Sequence, residues 1–497
     1  MKIKLLLILC FLPSLIRAFE TNTYYFIDYS PSSVLTNQPL LLPYEEDRKK
    51  KAVETGRLYK AEILYGNFEN LDANIVMSRE SGDVGYLITY NRFKINSYTT
   101  NDKKLYNSSY GYDTFQAGVN MLLLKDLSCT LNVDYHYQNN GMLFNTNYNN
   151  QFKRRIRLAP QFRYYLNEKS FFNFNFLYHN LDLEFESSRN SLQNKYYYFS
   201  TEVNYRRIWS TINSLNFYFM NIQDSLQINR DKKNNNYARF MLSDQFALSK
   251  MFIINTGLAF DVNKNYPFTI SPRLDLSFLF PRINFKLGYE REYDPLACQE
   301  LIRQNSFMKY PSAIPPRTGH KVFLNTFISL SRSLTYNLNL SWHEVSHYPR
   351  LKADEDGLIY PDPMEKAEYD MVRQEVSFKL LKGLGCFIQY NYIPFIRPGK
   401  ITDLPVNKLK AGIDIAFSVF KTSFILNYSD LNYFLDKNNN YINIQSNILM
   451  DIFIQGNFTR SFGMILKVKN LTSRRIFSVP LYPSLENIIN IGITAGF

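Results

Sequence analysis

The chain has 497 residues, 57 Lys+Arg against 44 Asp+Glu for a formal net charge of +13, and 16% aromatics carried by 38 Tyr and 40 Phe but only 2 Trp. Length alone would suggest about three globular domains, but soluble domains seldom combine so many aromatics with so few glycines (19). Past the N-terminal segment no run of about 18 apolar residues occurs, which excludes helical membrane spans; the mean hydropathy of −0.29 fits a chain in which only alternate residues face lipid.

Residues 1–18 read as a signal peptide: Lys2 and Lys4, the mainly apolar run Leu5 to Ile16, then Arg17 and the small Ala18 ahead of Phe19. Cys10 lies in that run and leaves with it. Cys129, Cys298 and Cys386 are too scattered for a disulfide framework or a metal site. Removing Lys2, Lys4 and Arg17 takes three from thirteen and leaves +10. A basic chain invites a nucleic-acid reading, but these charges alternate along strands and fill loops, with no recognition helix, so no nucleic-acid partner is expected.

Residues 19–56 lack sustained strand periodicity and hold Ser30-Pro31-Ser32-Ser33 and the charged run Glu45 to Lys51. They are expected to be an irregular segment, periplasmic or inserted in a lumen. From Arg57 apolar and polar residues alternate. Leu127, Cys129, Leu131, Val133 and Tyr135 alternate with Ser128, Thr130, Asn132 and Asp134. Ile156, Leu158, Pro160, Phe162 and Tyr164 alternate with Arg155, Arg157, Ala159, Gln161 and Arg163. The pattern repeats at Ile270 to Phe280, Leu334 to Trp342 and Leu409 to Val419. Period-2 runs this long exceed the roughly 5 to 6 residues usual in soluble sheets and suit tilted membrane-spanning strands.

Short connections such as Lys125-Asp126, Asn167-Glu168-Lys169, Ser249-Lys250, Pro281-Arg282 and Lys382-Gly383 rotate with longer polar loops near 98–110, 139–151, 186–194, 230–236, 294–318, 349–366, 397–404, 436–440 and 473–486. The expected fold is all-β: residues 57–497 as a single large antiparallel transmembrane β-barrel of about 22 strands, with short periplasmic turns and long extracellular loops.

The tail states the rule most clearly. Ile442, Ile444, Ile448, Met450, Ile452 and Ile454 share one face, and the chain closes on Ile489, Ile491, Ile493, Ala495 and Phe497. A final alternating strand ending in Phe resembles the closing strand of bacterial outer-membrane barrels, which implies that these five residues are a signal to the outer-membrane barrel assembly machinery. Val468-Lys469-Asn470-Leu471-Thr472, then Tyr482-Pro483 and the closing strand, resembles the end of TonB-dependent receptors, and Leu404-Pro405-Val406-Asn407-Lys408-Leu409 is similar to the start of a late strand in that barrel. The resemblance implies the barrel, a Gram-negative-type outer membrane and contact with its lipids. Members of that family also carry a plug domain of more than about a hundred residues, for which the 38 residues 19–56 are too few.

His343-Glu344-Val345-Ser346-His347 spells HExxH, which binds zinc where a helix brings residues i and i+4 to one face about 6 Å apart. Here it continues the alternating run from Leu334, and on a strand the two rings stand roughly 13 Å apart at about 3.3 Å per residue. No metal, no other cofactor and no enzymatic role are expected. Asp354-Glu355-Asp356-Gly357 looks calcium-friendly but lacks a full binding loop and reads as an acidic turn. The alternation turns Arg155, Arg157, Arg163, Arg206, Arg273, Lys286, Lys408, Lys410, Lys467 and Lys469 inward, with Asp134, Glu202, Asp275, Glu290, Glu292, Asp414 and Asp451. Two readings stand: a solvated wall of cross-strand ion pairs, or a mildly anion-attracting pore. The expected function is a plug-less conduit for solute. The alternatives are a surface platform for binding or adhesion presenting its loops, and an energised receptor whose plug is supplied by another polypeptide.

Overall fold

Alternation of apolar with polar side chains forces each segment to show one face to grease and the other to water, and hydrogen-bonding every segment to both neighbours leaves no open edge. A computed structural model describes residues 57–496 except 82, 96–98, 101–102, 105–108, 142–148, 188–190, 210–212, 230, 250, 295–314, 332, 356–357, 382, 398–405, 431, 445, 460, 473–475, 480–481 and 485–486. The expected signal peptide 1–18, the segment 19–56 and Phe497 lie outside the described residues, as does most of the loop 294–318.

The ring opens with β1 (Arg57–Gly66), β2 (Asn70–Ser81), β3 (Val84–Ile95), β4 (Tyr110–Leu124), β5 (Leu127–Gly141) and β6 (Asn150–Asn167). It continues with β7 (Ser170–Glu186), β8 (Ser191–Ile208), β9 (Ser214–Ile228), β10 (Asp231–Ala247), β11 (Phe252–Asn263) and β12 (Tyr266–Leu279). Then come β13 (Ile283–Asp294), β14 (Arg317–Ser331), β15 (Leu334–Ala353), β16 (Ile359–Leu381) and β17 (Leu384–Tyr392). Last are β18 (Asn407–Phe417), β19 (Phe420–Ser429), β20 (Asn447–Asn457), β21 (Phe462–Lys469) and β22 (Ile488–Gly496). Each pairs antiparallel with the next, and β22 returns to β1 from Lys60↔Gly496 to Gly66↔Asn490, so the barrel closes with 22 strands.

Polar side chains make the tight turns at one end. Asn167 Oδ1 accepts from the Lys169 amide (2.9 Å), Ser249 Oγ from the Met251 amide (3.2 Å), and Ser331 Oγ from the Ser333 amide (3.1 Å). Exposed Trp209, Phe280, Phe417, Phe420, Phe458 and Phe462 girdle that end on the outer face, and Ile63, Ile75, Phe240, Leu242, Ile413 and Ile491 lie in the apolar band above it. At the opposite end β15 and β16, of 20 and 23 residues, project well beyond their neighbours.

Several expected loops are strand. β10 begins at Asp231, β8 at Ser191, and β15 and β16 occupy nearly all of 349–366. Their outer ends are polar because they leave the membrane, so composition alone mistakes them for loop. Gly456-Asn457 is likewise the end of β20, and the turn follows it.

Candidate functional site

The inward wall is tied across strands by hydrogen-bonded rows. From β3 to β6, Thr89 Oγ1 donates to Gln116 Oε1 (3.2 Å), Gln116 Nε2 to Asp134 Oδ2 (2.9 Å), and Arg155 Nε and Nη2 to Asp134 Oδ1 (3.0 and 2.6 Å). Farther round, fully buried Asp261 accepts from Tyr237 Oη (2.6 Å), Arg239 Nε (2.6 Å) and Ser271 Oγ (2.7 Å), while Arg239 Nη2 donates to the Tyr293 carbonyl (2.8 Å). Asp275 takes Arg273 at 3.0 Å and Lys286 at 2.8 Å, and Lys321 lies 2.7 Å from Glu290. Next to the seam, Lys467 Nζ reaches Asp72 (3.3 Å) and Glu62 (3.9 Å), and Glu62 also pairs with Lys60.

The mouth is narrowed from within. At the tip of the β15–β16 hairpin Leu351, Ala353, Leu358 and Ile359 are buried in one cluster with Leu181, Leu183 and Phe185 of β7, Tyr196 and Tyr198 of β8, Tyr218, Met220, Ile222 and Leu226 of β9, and Tyr237 of β10. Strands β7 to β10 are not ladder neighbours of β15 and β16, so the hairpin leans inward to reach them. The Asp354 carboxylate accepts the Leu358 amide (2.8 Å) and closes the turn. A short hairpin, Asn432–Leu435 with Tyr441–Ile444, braces it through a parallel bridge Lys352↔Leu435, with Leu435 buried.

No family model matches the sequence, and no curated protein matches it at a significant level. Solved structures do. The FrpB iron transporter from Neisseria meningitidis superposes with a TM-score of 0.72 at 8% identity, over 91% of this chain and 83% of that one. The fold is the TonB-dependent receptor barrel. The siderophore receptor PirA from Acinetobacter baumannii gives 0.70 at 10% identity, over 89% and 81% of the two chains, and a mutant ferric enterobactin receptor PfeA from Pseudomonas aeruginosa gives 0.69 at 11% over the same shares. At such identities the likeness is one of fold, a closed antiparallel barrel of 22 strands.

Within this barrel, all ten singled-out basic residues stand on the inward parity of their strands, on β6, β8, β12, β13, β18 and β21. They do not converge. Arg273 and Lys286 share Asp275, and Arg155 and Lys467 have the acidic partners given above. Arg163 Nε donates to Asn173 Oδ1 (2.8 Å), Arg206 Nη2 to Ser214 Oγ (3.3 Å), and Lys410 Nζ lies 5.9 Å from the Phe387 ring. Arg157, Lys408 and Lys469 occupy the same face elsewhere. Ile489, Ile491 and Ile493 of the closing strand are exposed on the outer face, with Ala495 at the same parity.

The HExxH segment is strand. His343 points inward, stacked on Tyr369 at 4.7 Å with Nε2 2.9 Å from Ser341 Oγ, and Glu344 pairs with Lys366 at 3.0 Å. His347 takes a left-handed conformation within β15 (φ 58°) and donates from Nδ1 to the Pro316 carbonyl (3.1 Å). In the stretch similar to TonB-dependent receptors, Asn470 takes a left-handed turn (φ 54°) where β21 ends; its amide donates to Asp451 Oδ1 (2.9 Å), and Thr472 Oγ1 donates to the Ile448 carbonyl (2.8 Å). Sequence reasoning missed the Asp261 hub and the hairpin tip. Tyr237 and Arg239, two residues apart and so on one face of the strand, were the available signal for the hub.

Proposed function

We propose that this chain is a plug-less conduit of the outer membrane, passing solute through a water-filled lumen whose extracellular mouth is narrowed by the 351–359 hairpin tip. The observation that carries the reading is exposure inside the wall: inward-facing Leu87 and Phe327 are 48% and 38% exposed, side chains that a tightly packed lumen would cover. The inward polar rows support it, since such a face cannot pack dry. The paired charges favour a solvated wall over strong anion selectivity. The reading includes no catalytic role. It takes as partners outer-membrane lipids, the assembly machinery that would read the closing strand, and a plug or surface protein only where a separate polypeptide supplies one. Liposomes holding the purified full chain, with no energy source, should release a trapped neutral sugar such as sucrose and retain a large dextran. Retention of both would remove the conduit reading and favour the surface platform or the energised receptor.

A further inference from the structure

Two adjacent inward rows cross β12 to β17 toward the short-turn end. The upper runs Ser277, Lys286, Asn325, Asn339, Arg373 and Asn391 in direct register; the lower runs Leu279, Asn284, Phe327, Asn337, Glu375 and Gln389. From β12 to β16 they line a cavity of about 430 Å³. At its centre one ring, Phe327, has Asn284 and Asn337 on either side and Asn325 two residues up its own strand. We propose that this cradle binds a neutral polyhydroxylated ligand, a saccharide, as the solute class of the conduit; the assignment rests on the conduit reading above.

Three features select that chemistry. Carboxamides offer two donors and an acceptor each, matching hydroxyls that both donate and accept, and here Asn339 already donates to Asn325 Oδ1 at 2.5 Å, fixing one pair in place. The aromatic face suits the C–H face of a sugar ring. Its exposure is local: Phe323, four residues earlier on the same face, is only 6% exposed and has Lys286 and Lys321 at 5.6 and 5.2 Å from its ring. Finally, the cations are committed. Lys286 is held by Asp275 at 2.8 Å, and with the Gln389 amide turned to present its oxygen, that oxygen lies 2.6 Å from Arg373 Nη2 and 3.1 Å from Nε. An anionic metal chelate would need uncommitted guanidinium or ammonium groups and would meet the Glu375 carboxylate instead.

The test is equilibrium binding to the detergent-solubilised full chain, using maltohexaose, cellohexaose and chitohexaose against a ferric tris-catecholate anion. At least one hexasaccharide should bind saturably and more tightly than the chelate. Phe327→Ala should weaken it about tenfold, and Phe327→Trp should retain it, with heat-modifiable gel migration confirming that both variants fold. No saturable hexasaccharide binding, binding unchanged in Phe327→Ala, or preference for the chelate would overturn the assignment. Conductance of the same preparation separates the two readings: a conducting barrel that binds none of the sugars overturns only the saccharide, and a silent barrel that binds one overturns only the conduit.

Discussion

Gly492 on the closing strand stands opposite Leu64 on the first, so close that a β-carbon there would lie 2.0 Å from the Ile63 carbonyl oxygen. That oxygen belongs to the seam and cannot swing aside as a flexible side chain would. Gly492→Val should therefore block closure and sharply lower the amount of heat-modifiable, membrane-inserted barrel. Gly496→Ala is the internal control, since its β-carbon meets nothing nearer than the Tyr59 carbonyl oxygen at 3.6 Å. Equal insertion of the two variants would show that the seam is looser than this geometry.

Ile452 lies mid-strand on the outward face of β20, opposite Phe424 and Val468. Ile452→Lys should cost roughly 2 to 4 kcal/mol of folding into lipid vesicles, the range for a lysine near the bilayer midplane. Asp451→Lys, on the inward face, loses chiefly the hydrogen bond from the Asn470 amide, about 1 kcal/mol. Urea titrations of both variants check the facing, and equal costs would refute it.

Removing the Asp261 carboxylate strands Arg239, whose side chain is 8% exposed, without its anion. Asp261→Ala should destabilise the barrel by about 3 to 5 kcal/mol. Replacing both partners, Asp261→Leu with Arg239→Met, should recover much of that loss, because the larger penalty comes from the orphaned charge. A double variant no better than the single would mean that Tyr237 and Ser271 carry the hub.

The hairpin tip buries Leu351 and Leu358 against β7 to β10. A buried carboxylate without a partner is costly, so Leu351→Asp should release the tip while the ring of ladder bonds stays intact. Single-channel conductance should rise, with unchanged gel migration. Unchanged conductance would mean that the tip does not narrow the path.

Much of this architecture is legible in the sequence because a period of two has one physical reading once the runs exceed the length of soluble strands. Leu127 to Tyr135 and Ile156 to Tyr164 turn the parity they announce, and Arg155 reaches Asp134 because the neighbouring alternations bring the two rows side by side. What escapes the sequence lies above the membrane. There both faces of a strand can be polar, so Asp231 to Asn236 read as loop. The apolar Leu351, Leu358 and Ile359 flank an acidic turn and give no hint that they lie down on strands more than a hundred residues away. The Phe327 cradle, toward the short-turn end, is invisible for another reason: its lining comes from five strands, and only register places Asn284 and Asn337 beside one ring.

Planar-bilayer recording of the purified full chain tests the open conduit most directly. Persistent conductance with no energy source is expected, because a ring of 22 strands encloses a wide lumen and its wall is polar and partly exposed. Removing residues 19–56 should increase that conductance. A silent bilayer, together with solute uptake that requires the proton gradient of the inner membrane, would contradict it and point to an energised receptor plugged by another chain.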